Sequence, residues 1–216
     1  MKLAAVGSNC IDFYENLEGG KACPGGGPVN MAVYTLRLGG EASYIGPVGR
    51  DAYGLFLKDS LKSKGVDVSH MEEMEGETAV SKVYLISGER IFGDYNEGVL
   101  SSYQLSNADL DFISEHDMVV CDLWGKVGYQ FREIKGRGVR TAFDCAERPD
   151  DAACKDAIPY TDYLFFSDDE HGDDYLKEKM KELKEKGPEL VICMRGIKGS
   201  LCFDDLPPHT RDFSRE

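Results

Sequence analysis

Four short apolar runs, Met118 to Cys121, Thr141 to Phe143, Tyr163 to Phe166 and Leu190 to Met194, show no alternation and are separated by segments of helical spacing. A strand that is apolar at every position is buried on both faces, so these runs predict parallel strands joined by crossover helices. Leu3 to Val6, ending at Gly7, and Ala42 to Val48 read the same way. Asp169 to Lys186 predicts a helix with Leu176, Met180 and Leu183 along one face. Acids at its start and lysines at its end suit the helix dipole. With 216 residues and no repeat or linker, the chain is expected to form one α/β domain with a sizeable core.

One pair of strands breaks the pattern. Thr78 to Ile86 alternates, turns at Ser87 and Gly88, and returns through Arg90 to Tyr95, which predicts a hairpin. A two-sided, partly polar hairpin covers either a site or a second subunit. Arg90, Asp94 and Glu97 on it are candidate ligand contacts or simply solvated polar residues.

The candidate site begins with Pro24 to Gly40, PGGGPVNMAVYTLRLGG. Val29, Ala32, Val33 and Leu36 share one helical face, Pro28 suits the first helical position, and Gly39 suits the position after the last turn. A helix therefore starts directly after Gly25, Gly26 and Gly27, with free N–H groups and a positive dipole end facing whatever lies over the glycines. Asn30 adds an amide that both donates and accepts. A tight strand-to-helix turn accounts for the same glycines without any ligand. Asp12, just past the first strand, lies where open α/β sheets bind ligands, or is an exposed turn residue. Asp51 in GRDAYG is expected to cap a helix carrying Tyr53, Leu57 and Leu61, closed by Gly65. Gly196, Lys198 and Gly199, after the strand ending at Met194, form a turn that suits a nucleotide or a plain β-turn.

Composition narrows the partners. A formal net charge of −14 argues against nucleic acid and anionic membranes as partners. Seven cysteines without a CxxC pair read as buried thiols in a reducing cytoplasm, not as a disulfide frame or zinc site. MKLAAVG is too short an apolar run for a signal peptide, and no stretch reaches membrane-spanning length. No G-x-G-x-x-G follows the first strand, which disfavours a dehydrogenase.

Taken in order, these residues resemble the PfkB carbohydrate kinases of the ribokinase-like superfamily, over essentially the whole chain. GGGPVNMAVYTLRLGG is similar to that family's glycine and asparagine signature, GRDAYG to its Gly-x-Asp-x-x-Gly, and RIFGDYNEGV to members acting on fructosamines such as fructoselysine. The resemblance implies a ribokinase-like three-layer α/β sandwich with a mostly parallel central sheet and a small β-hairpin lid, with lid segments near 11–24 and 78–98. It implies ATP and Mg2+ as cofactors, a small-molecule sugar or fructosamine as substrate, and a possible homodimer through the lid. Asp12, Gly26, Gly27 and Asn30 would hold sugar hydroxyls, with Arg90 and Asp94 as further substrate contacts. Ser167 and Glu170 fall on the family's Asn-x-x-Glu, Glu170 being the residue for magnesium. Met194, Gly196, Lys198 and Gly199 fall on its nucleotide-binding Thr-x-Gly-x-x-Gly. The asparagine and the threonine of those motifs are absent here. Family members continue to a Gly-Ala-Gly-Asp that supplies an anion hole and a base, and no such motif occurs in these residues. The chain as written is therefore expected to bind poorly and turn over hardly at all, with a non-catalytic sugar-binding or dimerising remnant as the alternative.

Overall fold

The computed structural model describes residues 1–204; the 205–216 stretch lies outside the described residues. In chain order the strands are β1 (Lys2–Val6), β2 (Cys10–Tyr14), β3 (Lys21–Gly25), β4 (Glu41–Gly49), β5 (Met71–Met74), β6 (Val80–Ile86), β7 (Glu89–Asn96), β8 (Met118–Asp122), β9 (Arg140–Asp144), β10 (Tyr163–Ser167), β11 (Leu190–Met194) and β12 (Ser200–Phe203). The helices are α1 (Gly27–Arg37), α2 (Ala52–Ser63), α3 (Asn107–Ile113), α4 (Phe131–Gly136), α5 (Ala152–Ala157) and α6 (Asp173–Lys184).

The central sheet has eight strands in the order β12-β11-β10-β9-β8-β1-β4-β5, and every pairing is parallel except β11 with β12. The unbroken apolar runs become its middle strands, because each has a core on both sides. Leu3, Ala5, Tyr44 and Val48 pack with Val29 and Ala32 of α1 and Leu57 and Leu61 of α2. Ala4, Val6, Ile45, Val119 and Cys121 pack on the other face with Ile113, Phe131, Ile134, Leu176 and Met180. Three layers result, helices on either side of the sheet.

A second sheet of four strands, in the order β3-β2-β6-β7, forms the lid. The expected hairpin is β6 and β7, joined where Ser87 and Gly88 take φ of 53° and 88°. β2 and β3 complete this sheet, so that the chain leaves β1, adds two strands to the lid and returns at Gly25 to start α1.

Local boundaries follow the expected chemistry where the cap is in the sequence. Asp51 accepts from the Gly54 N–H at 2.7 Å and also takes the N–H and Oγ of Thr78, tying α2 to the base of the lid. Gly39 closes α1 at φ 84°. The helix expected from Asp169 begins only at Asp173. Asp168 accepts from the N–H groups of Glu170 and His171, which keeps that stretch in a turn. The cysteines also need correction: Cys121, Cys145, Cys154 and Cys193 are buried thiols, but Cys10 and Cys23 are half-buried on the lid and Cys202 is exposed.

Candidate functional site

In the central sheet the chain runs outward from β1 in two directions, to β4 and β5 on one side and to β8 through β12 on the other. The reversal lies between β1 and β8, and the crevice outside the carboxyl ends of such strands is where open α/β sheets hold ligands. Ser8 follows β1 and Asp122 ends β8. The Ser8 hydroxyl donates to Asp122 Oδ2 at 2.5 Å, so the two loops are joined at the reversal point.

The glycine segment lies directly on this pair. Gly26 has φ 114°, and a β-carbon there would stand 2.7 Å from the Ser8 carbonyl oxygen. A β-carbon on Gly27 would stand 3.0 Å from Asp122 Oδ2, and one on Gly25 would stand 2.8 Å from the Asp12 carboxylate. Glycine is required at Gly26, where a β-carbon would meet backbone at a positive φ, whereas at Gly25 and Gly27 it would displace the ends of two carboxylates. α1 has no side-chain cap and no acid in its first turn, leaving its first N–H groups open to this crevice. Asn30, exposed on that first turn, donates its own N–H to the Gly26 carbonyl.

Burial sets the electrostatics. Asp122 is 6% exposed, and its Oδ1 has no hydrogen-bond partner among the described residues. Burial pushes its carboxyl up to about 7, the Ser8 hydroxyl holds it down, and neighbouring Asp144 raises it further. Asp144, paired in register with Asp122, is itself raised by burial. Asp12 is raised by burial too, against a donated Cys10 thiol at 3.4 Å and the pull of Arg90. Asp12 and Asp122 both act on the Cys10 thiol and the Tyr95 hydroxyl, which burial pushes up, so the two acids face one region. Tyr95 packs edge-on to Trp124, and Arg148 lies over that indole, closing the region beside β9.

The structure sets Gly25 against Asp12, Gly26 against Ser8 and Gly27 against Asp122, with Asn30 on the first turn of α1. Asp94 is 92% exposed and ion-paired with Lys82, next to Glu15, away from Asp12. Ser8, Asp122, Cys10 and Tyr95 were not singled out in the sequence. The signal for Asp122 was present only as an acid at the end of a buried strand.

The nucleotide candidates collect at the carboxyl ends of β10 and β11. Ser167 ends β10, Met194 ends β11, and Asp168 donates its N–H to the Met194 carbonyl at 2.9 Å. Gly196 at φ 55° and Gly199 at φ 84° shape the following turn, and the Lys198 ammonium donates to the Asp169 carbonyl. Glu170 is exposed beside this turn. Among the described residues no cluster of three or more His, Cys, Asp or Glu side chains is placed to hold a metal ion. An exposed carboxylate such as Glu170, with Asp169 exposed beside it, fits magnesium that keeps most of its waters and arrives with phosphate. β8 and β10 are two strands apart in the sheet, on the order of 10 Å. The two groups of residues share one edge.

The chain is similar to known proteins in family and fold. The profile of the "pfkB family carbohydrate kinase" matches residues 1–213. Fructoselysine 6-kinase of Escherichia coli (strain K12) is 38% identical over 202 residues, covering 94% of this chain and 76% of that protein. Fructosamine kinase FrlD of Bacillus subtilis (strain 168) is 32% identical over 205 residues, covering 93% of this chain and 71% of that protein. Among solved structures, Arabidopsis thaliana ribokinase complexed with ribose and ATP superposes with a TM-score of 0.81 at 20% identity, over 96% of this chain and 76% of that one.

Proposed function

The chain belongs to the pfkB family of carbohydrate kinases, and on that premise we propose that it serves ATP-dependent phosphorylation of a fructosamine such as fructoselysine at a primary hydroxyl. The observation that carries the sugar half of this reading is the seating of Gly25, Gly26 and Gly27 on Asp12, Ser8 and Asp122. On this reading the Asp12 carboxylate, the first N–H groups of α1 and the Asn30 amide supply the donors and acceptors that neighbouring hydroxyls need. The substrate class rests on the two relatives above, each named for a fructosamine or fructoselysine.

Ser167, Met194, Gly196, Lys198 and Gly199 would hold ATP, and Glu170 would hold magnesium through water. Magnesium supplies charge neutralisation of the transferring phosphoryl group, and the chain's own contribution is to orient sugar and nucleotide at one sheet edge. Met194 in place of threonine removes a hydroxyl from that contact, so backbone N–H groups of the Gly196 to Gly199 turn carry more of it. A site of this kind needs neither a basic face nor a membrane, in keeping with a net charge of −14 and a cytoplasmic location.

These residues contain no Gly-Ala-Gly-Asp, the segment the family resemblance assigns to base and anion hole. The polypeptide of these residues alone is therefore expected to bind sugar and transfer phosphate far below the roughly 1 to 100 per second of kinases. A homodimer through the lid is part of the same reading, since Ile86, Ile91 and Phe92 are exposed on β6 and β7.

The test is ADP release with ATP and magnesium against fructoselysine, other fructosamines, fructose and ribose, run on this polypeptide and on the longest form its gene encodes. Fructosamine-dependent release by the longer form supports the reading. A preference for ribose or plain fructose contradicts it.

A further inference from the structure

The face of the lid that carries Asp12 continues past the sugar site into an open groove of about 390 Å³. Residues i and i+2 of a strand share a face, and so do residues directly opposed on neighbouring strands. Tyr14 is two residues beyond Asp12, Cys23 stands opposite Asp12, and Lys21 stands opposite Tyr14. The groove is lined by Tyr14, Leu17, Lys21, Cys23, Leu85 and Arg90, so one end of it abuts Asp12. Two residues along paired strands is roughly 7 Å, which sets Lys21 that far from the Asp12 row.

Lys21 and Arg90 are exposed, and neither has an ion-pair partner among the described residues, although acids outnumber bases by 39 to 25. The Arg90 guanidinium is set over the Phe92 ring at 5.7 Å. Three apolar side chains and two cations without an ion pair thus lie on the sheet beyond the half-buried Asp12 carboxylate. A plain hexose held at Asp12 and Asn30 has nothing to place there. A sugar joined through its side-chain nitrogen to lysine has a methylene chain of matching reach and, at its far end, an α-carboxylate.

We infer that this groove seats the amino-acid portion of the sugar conjugate: Tyr14, Leu17 and Leu85 flank the methylene chain, and Lys21 with Arg90 takes the terminal carboxylate. The inference rests on the fructosamine reading above and names what selects a conjugate over the free sugar. Arg90 is a donor in a planar fork and Lys21 a point charge, a pair that fits a carboxylate approached from two strands. Phosphoryl transfer occurs at the other end of the ligand, so the groove acts on binding and not on the transferring group.

The experiment compares fructoselysine with its decarboxylated counterpart, the conjugate of fructose with 1,5-diaminopentane, which keeps sugar, nitrogen and methylenes. Affinities are measured by calorimetry on wild-type chain and on a Lys21→Ala/Arg90→Ala variant, with millimolar ligand and circular dichroism as the folding check. Wild type is expected to prefer fructoselysine by about ten-fold or more, and the variant by less than about two-fold. Equal wild-type affinities for the two conjugates overturn the inference and leave the kinase reading standing. Retention of the preference by the double variant overturns it as well. Binding of neither conjugate by wild type overturns both.

Discussion

The carboxylate of Asp12 stands against the backbone of Gly25, 2.8 Å from where a β-carbon on that residue would lie. β2 and β3 are paired across this point, with Cys10 opposite Gly25 and Asp12 opposite Cys23. The side chain proposed to face the sugar is thus packed against the residue that leads into α1.

Gly25→Ala forces one of the two to move. Gly25 does not need a left-handed conformation, so the cost is the clash itself, about 1–3 kcal/mol of stability as for other overpacked sites. Sugar affinity is expected to fall about ten-fold or more. Melting curves and calorimetric titration with fructoselysine check the two effects separately. Wild-type affinity in a folded Gly25→Ala chain would show that Asp12 does not face the ligand.

Asp122 sets a pH dependence of stability. Its folded value of about 7 lies above the unfolded carboxylate range, so between these the folded chain binds the extra proton. Stability therefore falls as pH rises from about 4 through 7. Asp122→Asn removes this loss and can keep an acceptor for the Ser8 hydroxyl. The variant is expected to exceed wild type by on the order of 2 kcal/mol at pH 8, with the gap closing below pH 5. Urea melts at the two pH values measure it, and a constant difference between them would contradict the assignment.

Asp51 acts with the opposite sign. Burial raises its carboxyl, but the Thr78 and Gly54 N–H groups and the Thr78 hydroxyl outweigh that and hold it low. Its contribution is present above the unfolded value and is lost as pH falls through the lowered folded one. Asp51→Ala removes a helix cap and orphans the Thr78 groups, at about 2–3 kcal/mol near neutral pH. The loss is read by urea melts and should shrink below pH 3.

The lid offers a test of association. β7 is an edge strand exposed along its whole length, with Ile91 and Phe92 on it, a pattern that invites pairing with another chain. Sedimentation at micromolar concentration is expected to give a dimer, and Ile91→Lys/Phe92→Lys a monomer with an unchanged melting temperature. A monomeric wild type would remove the lid from the account of assembly.

What was legible in the sequence is what repeats locally. Unbroken apolar runs gave the middle strands, because burial on both faces leaves no polar alternation, and Asp51 and Gly39 marked helix ends through caps that act within one turn. The start of α6 was misplaced because the Asp168 turn competes with helix using the same acidic residues that suit a helix dipole. Asp122 was missed for a different reason. It meets Ser8 across 114 residues, through the pairing of β1 with β8, and nothing near it in the chain records that contact. Asp94, four residues beyond Arg90, shares its face by simple alternation, yet the register shift opposite Ser81 to Val83 intervenes and Asp94 pairs with Lys82.

The central claim is that the sugar lies between the lid strand β2 and the first turn of α1, and Asp12 is the residue most directly committed to it. Asp12→Asn keeps the shape against Gly25 and removes the charge. Calorimetric titration with fructoselysine is expected to show affinity lowered by about ten-fold or more, with the melting temperature unchanged or raised because a half-buried acid has been neutralised. Wild-type affinity in the Asp12→Asn chain would contradict the claim and place the sugar elsewhere.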